Sequence, residues 1–355
     1  MSRRVVLHIG AMKSGTSFVQ STLRRRRPAL AREGWTYPRA SIDEVRAGLG
    51  RGRPGGVPDP EPWRALTAVE GDLVVSMEFL SFARPAHLDD FLAPFADDDV
   101  TVVMGVRDQV RSLPSQWQTW CRSRGTLDWP DYLAALRGEG EGQVAADVHA
   151  AHTRVRAPAV LRRWSAHPAV DRVAVVTVPA AAEPAELWRR FVAASGLPPV
   201  EVDLERARPN ARIGYGSTEL LRRVNGHLPD VGYGEYRRAV KALWDEVLAP
   251  RSDAESRIVL DRPATEAAHR ANAVVRDVLA DPGAGLVLHG DLGDLPVTGE
   301  PAVEVAGPPP AGEVLAAGEA ALAWLGEDAR ADPRATDARE LAARVAAGLR
   351  RRHGW

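Results

Sequence analysis

Four short apolar runs, Val5–Ile9, Leu73–Met77, Val100–Val106 and Val173–Val178, recur along the chain with helical or loop-rich stretches between them. Each is too short for a helix, is rich in valine, and lacks the polar alternation of a half-exposed strand. Such runs are strands buried on both faces, and strands separated by helical crossovers pair in parallel. The expected fold is α/β, a three-layer sandwich on a central, mostly parallel sheet with a helical C-terminal part. Ligands of such a sheet bind at the carboxyl ends of its strands.

With 355 residues, of which 45% are hydrophobic, the chain can bury a sizeable core and has room for two domains. The linear division we expect is 1–298, with an α/β core to about 210 and helices after it, then 299–355, a proline-rich linker and a helical tail. Helices are expected from Thr16 to about Arg27, from Ser217 as a cap to about Gly226, over Glu235–Leu248 and Thr265–Leu279, and as a pair within Glu313–Leu349. The tail has two destinations, the core or a second copy of the chain, which leaves a homodimer open. Gly48–Pro62 and Gly138–Gly142 read as loops bordering an acceptor site.

Lys and Arg total 46 against 47 acids, a formal charge of -1, so there is no basic footprint of the kind that coats nucleic acid. One cysteine, Cys121, excludes an internal disulfide; the spacings CxxC and HExxH are absent, so no metal is expected. No signal-like segment and no run long enough to span a membrane is found, and the chain is read as cytoplasmic. Its arginine and alanine bias suggests a bacterial genome rich in GC.

Of the 46 basic residues only Lys13 and Lys241 are lysines, leaving 44 arginines. A chain that meets nearly every demand for positive charge with arginine keeps lysine where a compact ammonium on a flexible stem is needed. Lys13 lies in GAMKSGTSF, Gly10–Phe18, between the first strand and a helix. Glycines let backbone amides approach an anion, the helix start adds partial positive charge, and Lys13, Ser14, Thr16 and Ser17 offer further donors. This is a phosphate cradle. It is not a Walker A loop, which places its lysine after the second glycine, whereas Lys13 precedes Gly15.

The segment HIGAMKSGTSF resembles the 5′-phosphosulfate loop of the PAPS-dependent sulfotransferases, whose usual forms are PKSGTTW and HIGxxKTGTT. The resemblance implies a P-loop-like core that binds 3′-phosphoadenosine 5′-phosphosulfate (PAPS) and releases adenosine 3′,5′-bisphosphate (PAP). Carried over by position, Lys13 holds the bridging oxygen and the leaving phosphate. Ser14, Gly15, Thr16 and Ser17 bind the 5′-phosphate, and Phe18 takes the place of the aromatic that stacks on adenine.

Three further segments follow in the family's order. Arg107 ends a strand in VTVVMGVRDQVRSLPSQW, and Ser115 follows eight residues later; the pair resembles the family's contacts to the 3′-phosphate. Glu78, directly after the strand in DLVVSMEFLS, is the candidate general base, a place where many members carry histidine. The alternative reading makes Glu78 a first-turn residue with Ser76 as its cap. In RARPNARIGYGS, Arg208 or Arg212 is expected to reach the 3′-phosphate, although Arg212 stands at the family's serine position and the GxxGDWK segment of animal cytosolic members is absent.

Less weight falls on other residues. His8 reads as a hydrogen-bonded strand residue, and His149 and His152 as occupants of a substrate loop and alternative bases. Arg24–Arg27 read as a solvated helix end, Arg111 and Ser112 as solvated or capping groups, and Asp97–Asp99 as an exposed loop. Trp117 and Trp120 read as core, with Trp129 the better pocket lining. The expected activity is sulfuryl transfer to a hydroxyl, ahead of an amine, on a small-molecule, glycan or natural-product acceptor. The rivals are an ATP-dependent kinase and a nucleotide-binding protein without turnover.

Overall fold

The computed structural model describes residues 2–38, 61–179, 184–199, 213–328 and 337–355. Two compact units share the chain. One comprises Met1–Ser112, Ala151–Pro209 and Ala268–Gly299; the other Leu113–Ala150, Asn210–Ala267 and Glu300–Trp355. The units interleave along the sequence, unlike the linear division expected at 298.

Among the described residues the first unit is built on six strands: β1 (Arg4–Gly10), β2 (Trp35–Thr36), β3 (Asp72–Ser76), β4 (Asp99–Val106), β5 (Arg172–Thr177) and β6 (Leu286–His289). They form one sheet in the order β2-β3-β1-β4-β5-β6, and every pairing is parallel. Alternation of side chains gives the sheet two buried faces. Val5, Leu7 and Ile9 of β1 join Val102 and Met104 of β4 in a core shared with Leu161 and Trp164 of the helix Ala157–Ser165. Val6, Val74, Val103 and Val176 point the other way, into a core with Val19 and Leu23 of helix α1 (Thr16–Arg32) and Phe191 of the helix Pro184–Ser195. The α/β class and the parallel sheet are therefore as expected, and the four apolar runs are β1, β3, β4 and β5. The two strands not anticipated lack a long apolar run: β2 has two residues, and β6 is a sheet-edge strand that stays partly exposed.

Helix α1 continues to Arg32, past the expected end near Arg27, with Pro28 inside it. Proline removes one ladder hydrogen bond, but Leu30 beyond it is buried in the core, and burying such a side chain contributes roughly 1.5–3 kcal/mol. Arg27 is half-buried rather than solvated, its Nε donating to the Tyr37 carbonyl at 2.7 Å. Asp98 is likewise not free in solvent, since it pairs with Arg3 at 2.6 Å.

The second unit is helical. Leu220, Leu221 and Val224 of the helix Tyr215–Asn225 share one core with Tyr236 and Leu243 of the helix Tyr233–Leu243. Ala321 and Leu322 of the helix Ala311–Trp324, and Val345 and Leu349 of the helix Ala338–His353, complete it. The tail thus forms the expected two helices, and they pack on a helix of their own chain. Ser217 is not a cap: the helix starts at Tyr215, and Ser217 is buried with its N–H and Oγ donating to the Glu255 carboxylate at 2.8 and 2.6 Å. Trp129, expected to line a pocket, is core, its Nε1 donating to the Val259 carbonyl at 2.7 Å. His149 and His152 lie on the helix Gly142–Arg154 and not in a loop. No helix among the described residues is long and apolar enough to cross a membrane.

Candidate functional site

The connection from β1 leads through α1 to β2 on one side of the sheet, while that from β4 leads to β5 on the other. The strand order therefore reverses between β1 and β4, and a ligand crevice belongs outside the carboxyl ends of these strands. Three expected site residues lie at strand ends there: Lys13 in the turn after β1, Glu78 after β3 and Arg107 after β4.

The turn is tightly braced. The Ala11 N–H donates to the Gly105 carbonyl at 2.8 Å, and the Ala11 carbonyl in turn accepts from Ser14 Oγ at 2.6 Å and Thr16 Oγ1 at 3.1 Å. Both hydroxyls are thus turned inward, on residues only 3% and 4% exposed. They shape the loop, and what the turn offers outward is backbone: Phe18 and Val19 close on the Gly15 carbonyl, and the N–H groups of Thr16 and Ser17 have no carbonyl behind them within α1. Ser17 is exposed, and Phe18 is half-buried against the core beneath α1. Lys13 has φ +66°, a left-handed conformation uncommon for a residue with a Cβ. Strain of this kind, of order 1 kcal/mol or more, gathers at functional turns.

Gly105, in β4, is needed because Ser14 lies against it; a Cβ there would sit 2.6 Å from Ser14 Oγ. Gly10 combines φ +112° with a close approach to Glu78, whose Cα and Cβ would each lie 3.3 Å from an added Cβ. That approach sets Glu78 beside the start of the turn.

Arg107 joins the two loops. Its Nη1 donates to the Lys13 carbonyl at 3.2 Å, while its Nε is buried without a hydrogen-bond partner. Among the described residues no carboxylate lies within ion-pair distance of Arg107. Burial pulls its guanidinium below the ordinary arginine value, the charge of Arg111 acts in the same direction, and Asp108 opposes them. A half-buried cation whose buried Nε–H has no partner can receive an anion. Arg111 and Ser112, read from sequence as solvated or capping groups, are tied into the structure: Arg111 Nη1 donates to the Pro179 carbonyl at 3.1 Å, and Ser112 Oγ to the Asp108 carbonyl at 2.8 Å.

Glu78 is half-buried and opens the 3-10 turn Glu78–Phe82. Gln20 Nε2 donates to its Oε2 at 2.7 Å and to the Ser76 carbonyl at 3.2 Å. Tyr37 is near enough for the Glu78 charge to add to the burial that pushes its phenol up, while Arg24 and Arg27 oppose. Ser76 does not cap the turn; it is a β3 residue whose Oγ lies 2.7 Å from His8 Nδ1. His8 is the expected strand residue, buried against Phe191, and burial lowers its pKa to about 4.

Ser115 falls in the second unit, half-buried on the helix Gln109–Arg122, where its carbonyl accepts from Thr119 Oγ1 at 3.0 Å. Arg208 and Arg212 lie outside the described residues. Sequence reasoning overlooked Gln20. Its signal was spacing, four positions after Thr16 on the same face of α1. Among the described residues no cluster of histidine, cysteine and carboxylate side chains could hold a metal ion. Comparison with protein-family models, with curated proteins and with solved structures finds no match.

Proposed function

We propose that this chain is a sulfotransferase that moves a sulfuryl group from PAPS to an acceptor hydroxyl, with an amine as second choice, on a small molecule, glycan or natural product. The observation that carries the reading is the Arg107–Lys13 contact, which ties two cationic residues together where the strand order reverses. The strand order and the glycine turn between β1 and α1 support a P-loop-like core.

Fit to the donor rests on the unspent Arg107 Nε and the first amides of α1, which suit the phosphate groups of a nucleotide. When bound, the donor supplies an activated sulfuryl group and a phosphate leaving oxygen. In this reading Lys13 neutralises charge on that oxygen, and Arg107 holds the 3′-phosphate. Glu78 takes the acceptor proton as the acceptor oxygen bonds to sulfur, with Gln20 holding the carboxylate in place. Catalysis is mainly alignment and charge neutralisation.

An ATP-dependent kinase fits less well. Beyond the position of the lysine, the acid at the end of β4, Asp108, is buried with its Oδ1 accepting from Val110 N–H at 3.0 Å and Asn272 Nδ2 at 2.8 Å. The test is transfer of label from PAPS to an acceptor panel, read by the sulfuryl mass increment, together with nucleotide binding in EDTA. Preference for 3′-phosphorylated adenosine nucleotides and a sulfated product support the proposal. Metal-dependent binding of ATP without that preference overturns it, and binding without turnover leaves a nucleotide-binding module.

A further inference from the structure

Only Arg107 and Asp108 separate β4 from the helix Gln109–Arg122, and this short link is anchored by a residue 164 positions from Asp108. Asn272, on the helix Arg262–Ala280, is 1% exposed. Its Nδ2 donates to Asp108 Oδ1 at 2.8 Å and to the Pro296 carbonyl at 2.8 Å, and its Oδ1 accepts from the Gln109 N–H at 3.1 Å. The Gln109 amide is one of those a helix start leaves without an internal acceptor. Asp108 caps the same turn, accepting from Val110 N–H through its side chain and from Ser112 N–H through its carbonyl, each at 3.0 Å.

An asparagine supplies two donors and an acceptor in one rigid plane, and here all three are spent. Neither alanine nor aspartate can satisfy the same set. Arg107 is therefore held between two fixed points. On one side Val106 is in register with Thr177 of β5; on the other, Asp108 and Gln109 are clamped by Asn272. Little backbone freedom remains to redirect its guanidinium away from the Lys13 carbonyl.

We infer that Asn272 is a positioning residue for Arg107, setting the direction in which the guanidinium leaves the end of β4 and, through it, the affinity for a phosphate monoester on the nucleotide. The inference rests on the sulfotransferase reading, in which that monoester is the 3′-phosphate.

The test is calorimetric titration of adenosine 3′,5′-bisphosphate and adenosine 5′-monophosphate into wild type, Asn272→Ala, Arg107→Ala and the double variant. Wild type is expected to prefer the bisphosphate; equal affinity for the two nucleotides overturns the functional reading and this inference with it. Given that preference, Asn272→Ala is expected to reduce it about tenfold, to leave monophosphate binding unchanged, and to add nothing in the Arg107→Ala background. Equal losses on both nucleotides, or losses that add in the double variant, overturn the inference alone, because a general scaffold defect would act on both ligands and independently of Arg107. Asn272→Ser, which keeps a shorter donor and acceptor, is read by the same criteria should the alanine variant fail to fold.

Discussion

Arg107 Nη1 donates to the backbone carbonyl of Lys13 at 3.2 Å, so the residue directly after β4 holds the turn that follows β1. The bond uses one N–H of a fork of five and leaves the buried Nε unspent. Removing the side chain therefore takes away a brace and, on the proposed function, an anion donor with it.

Arg107→Ala is expected to weaken binding of adenosine 3′,5′-bisphosphate by about 10- to 100-fold, the range for losing a charge-assisted contact. Arg107→Lys should recover little, because an ammonium cannot brace the turn and meet an anion in the same fork geometry. Calorimetry decides it, and full recovery by lysine would reduce the role of Arg107 to charge alone.

Lys13 holds φ +66° with a Cβ, so Lys13→Gly should relieve strain while removing the ammonium. The expected outcome is a variant as stable as wild type, or more stable by about 1 kcal/mol, that has lost transfer. Lys13→Ala should lose transfer without that gain. Chemical denaturation beside an activity assay separates the two, and turnover retained by the glycine variant would remove Lys13 from the chemistry.

His8 links stability to pH. Burial lowers its pKa to about 4 from the ordinary 6.5, so between those values the unfolded chain binds a proton that the folded one refuses. Its contribution is fully present above pH 6.5 and is lost as pH falls towards 4, amounting to about 3 kcal/mol. Urea unfolding across that window should show the decline in wild type and a shallower one in His8→Asn. Parallel curves would show that His8 does not carry the effect.

Gly105→Ala would bring a Cβ to 2.6 Å from Ser14 Oγ. Destabilisation of about 1–3 kcal/mol is expected, the usual range for overpacking, with partial recovery on adding Ser14→Ala. Strictly additive losses in thermal unfolding would mean that the two sites do not touch.

Much of the fold was legible because its signals are local. Valine-rich runs bounded by turns mark β1, β3, β4 and β5, and their residues are buried on both faces as continuous apolar runs require. The turn with Lys13, and Glu78 and Arg107 at their strand ends, were legible for the same reason: a residue directly after a buried parallel strand lies at the carboxyl edge of the sheet.

The directions of the site's side chains were not written in the pattern. The Ser14 and Thr16 hydroxyls read from sequence as anion donors, yet they turn to the Ala11 carbonyl, because the close passage of Gly105 leaves that interior position to be filled. Helix α1 runs past its expected end near Arg27, through Pro28, and so carries Leu30 into the core, a tertiary contact that the local pattern does not show. Sequence alone settled four of the strands, β1, β3, β4 and β5, and which residues follow them, because burial period and turn chemistry act over a few neighbouring positions; the two-residue β2 and the edge strand β6 lack such a signal. Only the tertiary structure decided that Arg107 would grip Lys13, that Gln20 would hold Glu78, and that Asn272 would clamp the link after β4 from 164 positions away. Those contacts depend on strand order and helix packing, which bring together residues that no local period connects.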